Sequence, residues 1–142
     1  MKEPQKLFDS ALVAPQTAAT NVTTTANLDT LGADYAIIRI HFAAEANTNA
    51  TGPKTSLLSS DDTVVTNFAT VVADQVAIDI TAQSLVRYDV DLKGRKRYLR
   101  LAVTGGTNGT NDNITFAANA SLWKDAHPAA LSELANVHVS VI

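Results

Sequence analysis

The chain has 142 residues, of which 46% are hydrophobic, 6% aromatic and 18% charged, with a formal net charge of -3 and no cysteine. That length suits a single domain with a core of its own, and the acidic balance leaves no broad basic field for nucleic-acid phosphates. A disulfide scaffold, a thiolate metal site and a cysteine nucleophile are excluded, and no run approaches the ~20 apolar residues of a membrane span.

Residues 1–9 read as a flexible polar arm whose sizeable apolar anchors are Leu7 and Phe8, ahead of one domain over 10–142. Lys2, Glu3, Pro4 and Lys6 leave no room for the apolar segment of a signal peptide, so synthesis in a cytoplasm is expected. Ser10–Ala14 and Ala19–Leu28 read as strands, with Pro15-Gln16 as the interruption and Leu31-Gly32-Ala33-Asp34 as the next breaker. In Tyr35–Ala43, Ala36, Ile38, Ile40 and Phe42 share one face while Tyr35, Arg39 and His41 share the other. This is the alternation of a strand with one face on a core and one on solvent or a partner.

Residues 45–54 have loop composition, and Thr55–Ser60 is a short strand ending in the Ser60-Asp61-Asp62 turn. Residues 63–73 read as an irregular or extended segment with a helical turn near its start, followed by a strand over Val76–Ile80. The firmest pattern lies in Leu85–Thr104, two alternating runs around a basic tip. With Gly94-Arg95 as a type II′ turn they make a hairpin in which Val86 faces Val103, Tyr88 faces Leu101, Val90 faces Leu99, and Asp89 meets Arg100. The first six are expected in the core. Ile114, Phe116, Ala118, Ala120 and Leu122 line one face of a further strand. The motif Asp125-Ala-His-Pro starts a short helix over Ala129–Ala135, and Val137–Ile142 ends the chain as a strand. Seven to nine short strands with at most one short helix near the C-terminus make an all-β chain, an antiparallel β-sandwich of jelly-roll type.

Nothing in the chain announces a reaction. His41, His127 and His138 have no paired ligand spacing. Asp61-Asp62 follows no calcium-loop pattern, and Gly105-Gly106 with Gly109 fails the phosphate-loop spacing. Motifs of the GxSxG and HExxH kinds are absent. No catalytic residue, cofactor or metal ligand is therefore assigned. The tip Lys93-Gly94-Arg95-Lys96-Arg97 is the one concentrated charge cluster, either a solvated turn that blocks edge-to-edge pairing or a contact for an acidic partner surface.

The order of features resembles a known class. YAIIRIHF, then the Ser60–Asp62 turn, then VRYDVDL and KRYLRLAVTGG resemble, over residues 35–104, the small β-sandwich decoration or cement proteins of tailed-bacteriophage heads. The chain departs from that pattern at Thr63, where the usual glycine is missing, and it lacks the aromatic residue often found soon after unless Phe68 serves. The resemblance implies a non-enzymatic virion protein on the capsid exterior, assembled in the host cytoplasm. It would bind the major capsid protein and form a homo-oligomer, a trimer being favoured, with no nucleic acid or membrane as partner. Leu7, Phe8, Arg95, Lys96, Tyr98 and Arg100 are the expected interface residues. The competing expectation is a carbohydrate-binding or host-recognition module, for which Trp123, Tyr35 and Tyr98 are the available stacking platforms.

Overall fold

A computed structural model describes residues 3–44, 53–75, 83–106, 113–126 and 137–141. They form nine strands: β1 (Gln5–Ala18), β2 (Thr23–Asp29), β3 (Tyr35–Phe42), β4 (Lys54–Ser60), β5 (Ala69–Gln75), β6 (Ser84–Asp91), β7 (Tyr98–Thr104), β8 (Ile114–Lys124) and β9 (Val137–Val141). A single 3₁₀ turn, Val65–Asn67, lies between β4 and β5, as the expected helical turn ahead of extended chain. The Val76–Ile80 strand and the C-terminal helix fall outside the described residues.

Four antiparallel pairings, β1–β8, β2–β7, β3–β6 and β4–β5, are those of one long ribbon doubled back at β4–β5. Rolling the ribbon brings β3 beside β8 and β4 beside β7. Two sheets result, ordered β1-β8-β3-β6-β9 and β2-β7-β4-β5. This is the jelly-roll arrangement, with β9 added parallel to β6.

Inward residues of both sheets fill the space between them. In the first sheet Ile40 lies beside Ala118, Ile38 beside Ala120, and Ala36 beside Leu122. Each bulky side chain meets an alanine on the neighbouring strand, which lets the layers interdigitate and explains how so alanine-rich and aromatic-poor a chain still builds a core. Phe42 and Phe116 close one end with ring centroids 6.0 Å apart. Tyr88 from β6 reaches across to Thr55 on β4, hydroxyl to hydroxyl at 2.6 Å, both fully buried.

The six residues assigned to the core from the 85–104 pattern are all buried there, but the hairpin is not formed. β6 and β7 belong to opposite sheets. In a rolled ribbon, consecutive strands alternate between sheets except at the doubled-back end, so these two runs lie in opposite layers with the core between them. Alternation identifies the inward face and is blind to whether the facing residue lies in the same sheet or the other. The Asp89–Arg100 pair fails for the same reason. Asp89 is bonded to Arg87 Nε at 2.6 Å, and Arg100 donates to Asn27 at 2.8 Å. The turn also differs. Arg95 N–H bonds Leu92 carbonyl, so Gly94, with φ of 76°, takes the third position, as type II requires.

Residues 5–9, expected in an arm, lie in β1 and pair with β8 from Gln5 opposite Lys124 onward. β1 also runs through Pro15-Gln16, absorbing them as a register irregularity. An edge strand allows this, because the proline lacks only an N–H that the ladder can spare. β2 starts later than expected, at Thr23, because Asn21 with φ of 57° turns the chain just before it.

Candidate interaction surface

One end of the sandwich gathers the starts of β1, β3 and β7 and the ends of β2, β6 and β8. Asp34 ties it together. Its N–H donates to the Trp123 carbonyl and its own carbonyl accepts from Leu92 N–H, each at 2.9 Å. Its carboxylate accepts from Asp125 N–H at 2.8 Å. One residue of the β2–β3 turn, through its backbone and its carboxylate together, thus fixes the ends of β6 and β8.

The same end carries three cation–aromatic pairs. Lys6 lies 5.7 Å from the Trp123 ring, Lys93 lies 5.4 Å from Tyr35, and Arg97 lies 4.9 Å from Tyr98. Tyr35 and Trp123 are cross-strand neighbours on the outer face of the first sheet, so they are the closest thing here to a stacking platform. Each already has a lysine ammonium against its ring, which reduces the area open to a sugar face. The Tyr35 hydroxyl holds the Lys93 ammonium above its ordinary value.

Of the expected interface residues in the basic tip and β7, the ring of Tyr98 is half-buried beside Arg97, which is clamped by two bonds to Asp29 at 2.9 and 2.7 Å. That clamp lowers the Asp29 carboxyl and raises the Arg97 guanidinium. Arg95 is half-buried and donates to the Asp91 carbonyl at 2.9 Å. Lys96 is exposed, with Asp61 at 3.8 Å. Arg100 is buried, its guanidinium 3.9 Å from the Phe68 ring centroid. It supports the second sheet's outer face, and little of it reaches solvent.

Leu7 and Phe8 sit elsewhere. β1 and β2 are the edge strands on one flank, and an open groove of about 490 Å³ runs between them. Leu12, Leu28, Ala120 and Leu122 form its apolar floor and walls, Leu7, Phe8 and Leu31 its exposed lip, and Asn27 and Asp29 its polar margin. The two sets meet through Asp29, which lines the groove and holds Arg97. Leu31 is the lip residue that the sequence reading missed. A large apolar residue placed inside a Gly-Ala-Asp turn was the available signal, and it is 72% exposed.

A second buried polar feature lies on the outer face of the first sheet. Arg87 and Asp89 are nearly inaccessible beside Ile37 and Ser121, so the centre of that face is covered as well. His41 is exposed on it. Among the described residues no group of three histidine, cysteine, aspartate or glutamate side chains is placed to hold a metal ion, and no helix is long and apolar enough to cross a membrane.

No protein-family model matches the chain, and no curated protein matches it in sequence. Among solved structures the fold is similar to a chain of the infectious bursal disease virus Gx strain, with a TM-score of 0.50 and 13% identity over 87% of this chain and 32% of that one. It is likewise similar to the VP2 subviral particle of infectious bursal disease virus, with a TM-score of 0.50 and 11% identity over 85% of this chain and 33% of that one. The chain spans about a third of the length of these neighbours. At such identities the likeness is one of fold.

Proposed function

We propose that the chain is a structural protein of a virus particle, acting as a decoration or cement protein on the outside of a tailed-phage head. The observation that carries the reading is the rolled-ribbon sandwich, a fold similar to that of chains from a virus and from a subviral particle. The mid-chain resemblance to head decoration proteins narrows the class. An apolar-lipped groove on an open flank and the exposed short polar side chains of β2, Thr23, Thr25 and Asn27, suit a protein that works by burying surface against neighbours. The role is non-enzymatic, and the major capsid protein is the partner.

Co-sedimentation tests it. Purified expanded heads of the particle that carries this protein, mixed with the purified chain, retain it at a fixed stoichiometry and resist dissociation better than bare heads. A chain that stays in the supernatant at every concentration refutes the proposal.

A further inference from the structure

We infer that the N-terminal half of β1 is a self-complementary edge at which two copies of this chain join, antiparallel, about a two-fold axis between Leu7 and Phe8. β1 is bulged between Lys6 and Phe8. Lys6 pairs with Trp123 and Phe8 with Leu122, so Leu7 is the extra residue. In a β-bulge two residues of one strand oppose a single residue of the other. Leu7 and Phe8 therefore share the inward side and both line the groove. Lys6 and Asp9, opposite the outward residues Trp123 and Ser121, share the outward side, and the bulge brings their charges within 2.8 Å.

Read along the strand, the pattern is cation, apolar, apolar, anion. Reversed by a two-fold axis it is its own complement. Lys6 then faces Asp9 of the second copy and Asp9 faces its Lys6, opposite charges on one face of the joined sheet. Leu7 faces Phe8 of the second copy and the reverse, on the other face. Each pair respects the side its residues already occupy, and the next pair, Gln5 with Ser10, does so too, since both lie opposite inward-side positions of β8.

The edge is available. Gln5–Ala11 is exposed throughout, β1 has a paired strand on one side only among the described residues, and the backbone groups of its other side are a template for a further strand. Bulges often blunt such edges. Here the bulge turns two large side chains, 50% and 43% exposed, toward a groove whose lip includes another exposed leucine. The interface is isologous, so it predicts a two-fold assembly in place of the trimer implied by the resemblance. It requires only this chain and stands apart from any capsid role.

Sedimentation equilibrium on the full chain, with circular dichroism confirming the fold of each variant, tests the seam. The wild type has twice the 15.0 kDa chain mass. Lys6→Glu and Asp9→Lys each place like charges opposite one another and weaken association at least tenfold, while the combined Lys6→Glu/Asp9→Lys variant restores it. Because the chain lacks cysteine, mixing Leu7→Cys with Phe8→Cys gives a disulfide-linked heterodimer under mild oxidation. A monomer or a trimer, or a dimer indifferent to both single reversals, overturns the inference, and none of these outcomes bears on whether the chain binds heads.

Discussion

The hydroxyl pair between Tyr88 and Thr55 is the sharpest internal test of this fold, because it bridges the two sheets through the core. The bond is 2.6 Å long, and both residues are at 0% exposure. Tyr88→Phe keeps the ring in place and deletes only the hydroxyl, so little cavity is created. Its cost comes from leaving the Thr55 hydroxyl without that partner away from water, about 1–3 kcal/mol. At roughly 4 °C per kcal/mol for a domain of this size, the melting temperature falls by ~4–12 °C. Thr55→Val keeps the side-chain shape, takes from Tyr88 its partner on β4, and costs a similar amount. The combined variant removes both ends of the bond and is expected to cost well below the sum of the two, with a coupling of about 1–2 kcal/mol. Urea denaturation followed by Trp123 fluorescence and circular dichroism reads all four species. If the single effects simply add, the two hydroxyls do not meet, and the facing of β4 and β6 across the core is refuted.

Three further outcomes follow from the same geometry. Asp89→Ala leaves the buried Arg87 guanidinium without its 2.6 Å partner and lowers unfolding stability by about 3–5 kcal/mol, whereas Arg87→Leu/Asp89→Leu is milder; a double variant worse than the single in urea contradicts this. Gly105→Ala drives a methyl group into the backbone carbonyl oxygen of Ala19, a clash between two chain segments that costs ~1–3 kcal/mol. Gly94→Ala meets nothing nearby and pays only for its φ of 76°, about 1–2 kcal/mol, and calorimetry of the pair separates the two mechanisms. The Asp29 carboxyl is held low by Arg97 and that of Asp62 by the Asn67 amide. Folded values below the unfolded one stabilise above the ordinary carboxyl value of 3.8 and lose that contribution as pH falls through the folded values. The urea midpoint therefore drops below that pH, less steeply for Asp29→Asn, and a midpoint that stays level down to pH 2.5 refutes the assignment.

The sequence by itself determined which residues lie inside. Period-2 alternation in Tyr35–Phe42, Leu85–Asp91, Tyr98–Thr104 and Ile114–Leu122 depends only on the pleat, and the inward positions it names are buried. It also carried the all-β class and the helical turn before β5. Tertiary structure alone decided who neighbours whom. The hairpin assigned to 85–104 satisfied every local rule of register, turn residue and charge, yet its strands sit in opposite sheets, because the β1–β8, β2–β7 and β3–β6 pairings are set by long-range rolling of the ribbon. The interaction surface divides in the same way. Leu7 and Phe8 were legible as apolar residues in a polar stretch. The groove beneath them, the lip residue Leu31, the burial of Arg100 under Phe68 and the bulge that sorts Lys6 and Asp9 from Leu7 and Phe8 all depend on segments far apart in the chain. Local pattern fixes the face of a side chain, and only the closed fold fixes what that face meets.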